Sequence, residues 1–274
     1  MNIVCHDSAY IDSIYHVPVE TYKEEHDFHF FGAPSVHEHI ILNNDCATIC
    51  FNINGKIYEH DGHIVCGKFT HAPKIKIIFK NTDRRLTIIR LTSYGMFKLT
   101  DTPIESMVNL VASGSIIDID TLCDGDIENY IRKIDALMSE ESNDKSYNMT
   151  REIIRYVNAN FLHLPSHSSK TVAKEFGISE SSLRRYFKKY LGINLSTYII
   201  TVKRKKMIQA IYEDNYDSLS VRENGYYDQS HFLNDFKRLY GVPLKEYFNE
   251  MQIMKERSPD LMKFLYHCNI KSSV

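Results

Sequence analysis

The stretch FKKYLGINLSTY at residues 187–198 recurs as FKRLYGVPLKEY at residues 236–247. The offset is 49 residues throughout, and a phenylalanine, a basic pair, a glycine, a leucine and a tyrosine stay in register. Repetition at a fixed period indicates one supersecondary unit that is used more than once. Because two copies are too few for a solenoid, we predict a duplication within a helical C-terminal part.

The residues around the first copy have the spacing of a helix-turn-helix. Ala173 is small where two helices would cross closely, and Gly177 can adopt the left-handed conformation that ends a helix. Ser179 is suited to cap the second helix, which we expect from Glu180 to about Tyr190. Three apolar side chains share one face of that helix, which predicts their burial. They are Leu183, Phe187 and Tyr190.

The opposite face of the same helix is polar and mainly basic. It presents Ser181, Arg184, Arg185 and Lys188. Such an edge suits the major groove of DNA, where an arginine can make a bidentate contact with guanine. A basic helix face that is merely solvated is the alternative.

The second unit repeats this plan. Gly225 is expected to end a helix and Asp228 to cap the next one, with Phe232 and Phe236 facing inward. The outward positions are Gln229, Ser230, Asn234 and Lys237. Glutamine and asparagine pair naturally with adenine edges, whereas basic side chains suit phosphates. A helix from about Ser196 to Tyr212, carrying the basic run at 203–206, is predicted to join the two units.

From about Asn148 to Phe248 the chain resembles the DNA-binding domain of the AraC family, which has two helix-turn-helix units joined by a long helix. The matching motifs are Ala173-x3-Gly177-Ile178-Ser179, LRRYFK at 183–188, GYYDQSHF at 225–232, and Phe236-Lys237-Arg238-x2-Gly241-x-Pro243-x3-Tyr247. The resemblance implies a bacterial transcription regulator, an activator or a repressor, with double-stranded DNA as its partner.

The resemblance also assigns residue roles. The expected base readers are Ser181, Arg184 and Arg185 in the first unit, and Gln229, Ser230 and Asn234 in the second. The expected phosphate contacts are Lys188, Lys189, Lys203, Lys237 and Arg238. One departure concerns residues 217–224, where Val221 replaces the usual alanine and apolar residues are few. It indicates a weakened leading helix in the second unit.

The first half of the chain has the pattern of short β-strands. Residues 47–53 and 56–60 flank Asn54-Gly55, a dipeptide typical of tight hairpin turns, and β-branched runs follow at 74–80 and 86–91. Helical periodicity appears at 126–138, and Thr150 is suited to cap a further helix. The fold class predicted is α+β: a β-rich sensor-like domain followed by an all-α domain with two helix-turn-helix units joined by a linker helix.

The domain boundaries follow from these patterns. We expect a β-rich sensor or dimerisation domain at 1–139, a polar linker at 140–147, the DNA-binding domain at 148–250 and a helical extension at 251–274. Residues 1–149 carry 13 basic and 22 acidic residues, whereas residues 150–274 carry 20 and 13. An acidic half joined to a basic half indicates that the second half meets a polyanion.

Composition restricts the cellular setting. The sequence has neither an apolar run of membrane-spanning length nor the pattern of a secretory signal. Six cysteines in 274 residues are too few for a disulfide framework and suggest reduced thiols in a cytoplasm.

Histidines are crowded near the start, with nine of the 13 in the first 71 residues. His37, His39, His60, His63 and Cys66 have types and spacings that could supply nitrogen and sulfur ligands to a transition metal. Exposed histidines are common, however, and the repeated pairing of a structural zinc site is absent. We therefore expect no metal and no cofactor.

Three functional classes remain open at this point. The first is a transcription regulator whose N-terminal domain binds a small-molecule effector or forms a homodimer, with RNA polymerase as a further partner. The second is a metal-dependent β-barrel enzyme, although the sequence lacks a carboxylate pair, a nucleophile motif or a phosphate-binding loop. The third is a protein-binding adaptor that has lost DNA affinity at 217–224. The first class is preferred, and an enzyme is not expected.

Overall fold

The computed structural model describes most of the chain. The described residues are 3–5, 10–17, 27–32, 34–43, 46–80, 86–100, 104–114, 127–139, 142–161, 163–165, 167–214, 229–257 and 259–266. Every statement below on structure refers to them.

The N-terminal half contains two antiparallel sheets. The strands are β1 Ile3–Cys5, β2 Ile11–Val17, β3 Asp27–Phe31, β4 His39–Asn43, β5 Ala47–Ile53, β6 Lys56–His60, β7 Ile64–Cys66, β8 Lys74–Phe79, β9 Leu86–Leu91 and β10 Val111–Ser113. One sheet has the order β1-β2-β9-β4-β7-β10 and the other the order β3-β8-β5-β6. The two sheets pack face to face as a flattened barrel, because their inward side chains share one apolar cluster.

The hairpin predicted from Asn54-Gly55 is confirmed. Strands β5 and β6 pair from Ile49 opposite His60 to Ile53 opposite Lys56. Asn54 and Gly55 have φ angles of 53° and 84°, which the tight turn requires.

Helices form the rest of the described chain. They are α1 Gly95–Thr100, α2 Ile127–Ser139, α3 Lys145–Asn160, α4 Ser169–Glu175, α5 Glu180–Leu191, α6 Leu195–Asp214, α7 Gln229–Tyr240, α8 Leu244–Arg257 and α9 Pro259–Tyr266. A 3₁₀ turn spans Ile104–Met107. All of these helices are too short or too polar to cross a lipid bilayer.

The helices at 126–138 and 196–212 are confirmed to within two residues, whereas the start predicted at Thr150 is wrong. Helix α3 begins at Lys145, because the Asp144 carboxylate accepts hydrogen bonds from the backbone N–H groups of Ser146 and Tyr147. The Thr150 hydroxyl instead donates to the Ser146 carbonyl within the helix. The predicted linker at 140–147 therefore overlaps the first residues of α3.

Two apolar cores each combine both halves of the chain. The first core joins the outer face of the six-stranded sheet, with Ile40 and Ile89, to α1, α2, α3 and α5. The second core joins the barrel interior, with Phe51 and Ile77, to α7, α8 and the end of α6. The predicted order of a β-rich half and an all-α half is confirmed, and the domain boundaries stay a prediction.

Candidate nucleic-acid interface and barrel cavity

The first unit, α4 and α5, has the predicted turn and cap. Gly177 has a φ of 62°, which the left-handed turn after α4 requires. The Ser179 hydroxyl accepts a hydrogen bond from the Ser182 backbone N–H at 3.1 Å. Ala173 is buried where the two helices meet, and the side chains predicted to face inward are buried. Because one side of α5 is packed into the core, its opposite side is the one that faces solvent.

That exposed side carries the predicted base readers of the first unit. Ser181, Arg184 and Arg185 are all exposed, and the Arg185 guanidinium lies 5.6 Å from the centroid of the Tyr186 ring.

 This contact places the arginine beside its neighbour on the helix, and its side chain stays exposed. A polar and cationic edge on a capped, packed helix is the arrangement that major-groove reading requires.

The two lysines at the end of α5 are paired with acidic side chains. Lys188 Nζ lies 2.8 Å from Glu105 Oε1, on the 3₁₀ turn of the N-terminal half. Lys189 Nζ lies 3.1 Å from Asp144 Oδ2. Both lysines are exposed, so phosphates can compete for them with these carboxylates.

The end of α5 is pressed against the same 3₁₀ turn. Gly192 ends the helix with a φ of 74°, and a β-carbon at this position would lie 2.7 Å from the Ile104 carbonyl oxygen. The Tyr190 hydroxyl donates to Asp144 Oδ2 at 2.6 Å. Burial alone would raise the pKa of Asp144, but the hydrogen bonds from Ser146, Tyr190 and Lys189 lower it below its usual range. The first unit is therefore attached to the N-terminal half by both backbone packing and charge.

The second unit is described from its recognition helix, α7, onward. Gly225, Asp228 and the departure at 217–224 lie outside the described residues, as does the side chain of Gln229. Phe232 and Phe236 are buried as predicted. Ser230, Asn234, Lys237 and Arg238 are exposed, as their proposed contacts with DNA require.

Helix α7 is tied to the linker helix α6 through Asp235. Arg204 Nη2 lies 3.0 Å from Asp235 Oδ2, and both side chains are mostly buried. Arg238 pairs with the other oxygen of the same carboxylate. Burial would raise the pKa of Asp235, but the two guanidinium groups lower it below its usual value.

The basic run at 203–206 is divided by the packing of α6. Lys203, a predicted phosphate contact, is half-buried, and desolvation lowers its pKa. Lys205 is only 2% exposed and lines a cavity inside the barrel. Sequence reasoning missed this inward lysine, because a run of four basic residues is typical of a solvated helix face.

A cavity of about 60 Å³, partly open to solvent, lies between the two sheets. Most of its lining is aliphatic or aromatic, including Ile41, Ile49, Phe51, Ile77 and Ile88.

One region of the lining is polar and cationic. His39 is the cross-strand partner of both Arg90 and Cys66, so these three side chains lie in a row on the inner face of the sheet. Arg90 is 3% exposed, and its Nη1 lies 3.6 Å from Asp12 Oδ2. Lys205 from α6 adds a second buried cation to the same lining.

Burial and the two cations lower the pKa values of the neighbouring histidines. Burial, followed by the charges of Lys205 and Arg90, lowers the pKa of His37 well below its usual value. Burial, followed by Arg90 and Lys205, does the same to the pKa of His39. Both rings are therefore neutral at pH 7.

His39 and Cys66 are cross-strand neighbours, but the structure does not bring the five candidate metal ligands together in one group. His37 Nδ1 lies 2.9 Å from the Leu91 carbonyl oxygen, and His63 Nδ1 accepts the Asn43 backbone N–H at 3.0 Å. His60 lies on β6, in the other sheet from His39 and Cys66. Burial raises the pKa of the Cys66 thiol, which keeps it protonated. The described residues contain no group of three or more side chains that could hold a metal ion.

Comparisons with known proteins identify a family for the helical part of the chain. A family model described as a helix-turn-helix domain matches residues 172–250. No curated protein matches the chain significantly.

Among solved structures, ToxT from Vibrio cholerae is similar at 12% identity and a TM-score of 0.45, over 86% of this chain and 97% of that one. A ToxT structure with a bound unsaturated fatty acid has 12% identity and a TM-score of 0.44, over 90% and 98% of the two chains. The AraC-like transcriptional activator CuxR has 15% identity and a TM-score of 0.29, over 78% of each chain.

The family model covers both copies of the duplication and both recognition helices, α5 and α7. Residues 172–250 are therefore a helix-turn-helix DNA-binding domain of the AraC type.

Proposed function

We propose that the chain is a sequence-specific transcription regulator that reads the major groove of double-stranded DNA. The observation that carries the proposal is the exposure of Arg184 and Arg185 on a helix whose cap and packed face are both formed. Ser181 reads bases with them. In the second unit Gln229, Ser230 and Asn234 take this role, while Lys188, Lys189, Lys203, Lys237 and Arg238 contact phosphates.

Recovery of bound genomic fragments by the purified full chain, followed by sequencing, tests this proposal. We expect the recovered fragments to share a short motif. Arg184→Ala is the matched variant, because it removes one proposed base contact from an exposed position; it should recover fragments in which the motif is weaker. Recovery of fragments without any common motif would contradict sequence-specific reading and would favour the adaptor.

The barrel cavity supports an effector of defined chemistry. An aliphatic and aromatic lining favours an apolar body, and two buried cations at one region of that lining favour a negatively charged head group. We propose a molecule that joins an apolar chain to one carboxylate, with Arg90 and Lys205 as the residues that bind the carboxylate.

Titration calorimetry of the full chain with dodecanoate, compared with dodecan-1-ol, tests the effector. We expect dodecanoate to bind and the alcohol to bind at least about tenfold more weakly, because hydrogen bonds to charged groups contribute about 1.5–3 kcal/mol. Arg90→Gln should weaken dodecanoate binding, whereas Lys56→Gln, which removes a charge from exposed strand β6, should not. Equal binding of acid and alcohol would contradict the anionic head group.

The remaining assignments follow from this function. We propose that the regulator works in the cytoplasm and that RNA polymerase and a second copy of the chain are further partners. An enzymatic role is not proposed.

A further inference from the structure

A large apolar side chain lies on the exposed side of the second recognition helix, α7. Leu233 is 38% exposed, although Phe232 and Phe236 of the same helix are buried. Within the described residues, the other large apolar side chains with such exposure are Ile57 on β6 and Ile253 on α8. A single exposed leucine is ordinary on a protein surface. This leucine, however, lies on the side of α7 that carries the proposed contacts with DNA.

The duplication relates Leu233 to a proposed base reader of the first unit. The offset of 49 residues places Leu233 at the position of Arg184. The same offset places Ser230 at the position of Ser181, and all four of these side chains are exposed. A leucine therefore stands where the first unit presents an arginine to the base edges.

The two recognition helices are rotated in the same way about their axes. Phe187 of α5 is buried and lies edge-on to Tyr198, with an angle of 83° between the rings. Phe236 of α7 is buried and lies edge-on to Tyr247, with an angle of 75°. Each of these pairs is related to the other by the offset of 49 residues. Because the buried sides correspond, Leu233 points away from its core as Arg184 does.

The neighbours of Leu233 on this side of α7 are polar. Ser230 precedes it by three positions, Asn234 follows it directly and Lys237 follows by four, and all three are exposed. Residues three and four apart are neighbours on a helix surface. Leu233 therefore lies between a proposed base reader and a proposed phosphate contact, and it would meet the bases themselves.

The chemistry of leucine restricts what it can recognise there. Its side chain has no hydrogen-bond donor or acceptor, so it cannot pair with the polar edges of guanine, adenine or cytosine. The apolar group that the major groove presents is the 5-methyl group of thymine. Contact between this methyl group and a leucine removes apolar surface from water, which is favourable.

We propose that Leu233 is a specificity-determining residue that contacts the 5-methyl group of one thymine beneath the second unit. This role rests on the proposed major-groove reading and adds a base contact of a different chemical kind to it. A methyl contact contributes less than a bidentate arginine contact. The second unit would thus prefer one thymine while it binds mainly phosphates.

Replacement of single thymines by deoxyuridine tests this contact, because deoxyuridine lacks only the 5-methyl group. The probe is the duplex recovered with the full chain, with each thymine of the second half-site replaced in turn, and fluorescence anisotropy measures affinity. We expect one replacement to weaken binding by about three- to fivefold, which is the contribution of one buried methyl group. The other replacements should change affinity by less than about twofold, since they remove no buried methyl group.

Variants of the protein identify the side chain that makes the contact. Leu233→Ala should bind the thymine and deoxyuridine duplexes equally. Ile253→Ala is the matched control, because it shortens an exposed aliphatic side chain on α8 and should keep the difference. Leu233→Arg, which copies the first unit, should prefer guanine to thymine at the same position.

The dependence of binding on salt separates Leu233 from the cations beside it. Leu233→Ala should leave the slope of affinity against salt unchanged, because it removes no charge. Lys237→Ala should make the same slope shallower by about one. A shallower slope for Leu233→Ala would show that the substitution has displaced the phosphate contacts, and would contradict a contact confined to the methyl group.

The remaining outcomes distinguish this role from base reading in general. If no thymine of the second half-site responds to deoxyuridine, or if the loss persists in Leu233→Ala, the proposed role of Leu233 is wrong while reading by the first unit stands. Recovery of fragments without a common motif would refute both. The deoxyuridine comparison uses the original chain, so it decides the question even if a variant fails to fold.

Discussion

The two helix-turn-helix units are copies with the same core and different surroundings. Phe187 and Phe236 are both almost fully buried, and Gly192 and Gly241 end their helices with φ angles of 74° and 72°. The position before the phenylalanine differs: it is Tyr186 in the first unit and Asp235 in the second. Tyr186 contacts Arg185, whereas Asp235 pairs with Arg204 and Arg238.

This difference indicates that the first unit reads bases and that the second mainly binds phosphates. The first recognition helix presents two arginines at its proposed base-reading positions, which can make bidentate contacts with guanine. The second presents neutral side chains there and places its cations, Lys237 and Arg238, one turn later. Duplication thus preserved the packing, while the exposed positions diverged. We expect the first unit to supply most of the specificity and the second to act mainly as an electrostatic anchor.

The largest expected effect is the dependence of DNA binding on salt. Six to ten phosphate contacts would reduce affinity by about three to five decades between about 50 and 200 mM salt. Fluorescence anisotropy of the full chain with a labelled duplex measures this slope. Removing both anchoring cations, with Lys237→Ala and Arg238→Ala together, should make the slope shallower by about two. A flat salt response in the original chain would contradict phosphate anchoring.

The next prediction compares the contribution of the buried phenylalanine to stability in the two helix-turn-helix units. Phe187→Ala and Phe236→Ala should each lower the free energy of unfolding by about 3–5 kcal/mol, because each removes a fully buried aromatic ring. Chemical denaturation followed by circular dichroism measures both. Similar losses would support equivalent packing of the two copies. A loss below about 1 kcal/mol in either variant would show that its core is not formed as described.

Base reading should be separable from phosphate contact within the first unit. Arg184→Ala or Arg185→Ala should weaken binding to the specific site by about 1–3 kcal/mol and relax preference at one or two base positions. Lys189→Ala is the matched control, which should weaken specific and random duplexes about equally. Equal losses on both duplexes for the arginine variants would contradict their assignment as base readers.

The smallest effect concerns the attachment of the first unit to the N-terminal half. Glu105→Gln removes the carboxylate that pairs with Lys188. Lys188 can then bind a DNA phosphate without first breaking this ion pair. Exposed ion pairs contribute at most about 1 kcal/mol, and DNA affinity should therefore rise by about two- to fivefold. Anisotropy at low salt measures the change. Glu152→Gln breaks an exposed pair within α3 and should leave affinity unaltered; a fall in affinity for Glu105→Gln would contradict the competition.

Local signals in the sequence were enough for much of the fold. The 49-residue duplication, Gly177 and Ser179 predicted the first unit, because caps and turns depend on residues close in sequence. The Asn54-Gly55 hairpin was predictable for the same reason. The start of α3 was not, since Asp144 and Thr150 are both acceptable caps and the choice depends on Tyr190 and Lys189, more than 40 residues away.

The charged lining of the cavity was harder to predict. Lys205 looks like any member of a basic run, and only the packing of α6 on the barrel turns it inward. Arg90 carries a weak signal, because a single charge interrupts the apolar strand at 86–91 on the face shared by Leu86 and Ile88. A charge in that position predicts a buried partner, which Asp12 of β2 supplies, but not a second cation from a helix of the other half.

Binding of the full chain to its recovered site, with each base pair substituted in turn, shows whether the first unit supplies most of the specificity. Two units on one linker helix are expected to meet successive major grooves, about 34 Å apart. Each base pair read by Ser181, Arg184 or Arg185 should cost about 1–3 kcal/mol when it is replaced. These positions should cluster in the groove beneath the first unit. Equal sensitivity in both grooves, or none in either, would contradict this expectation.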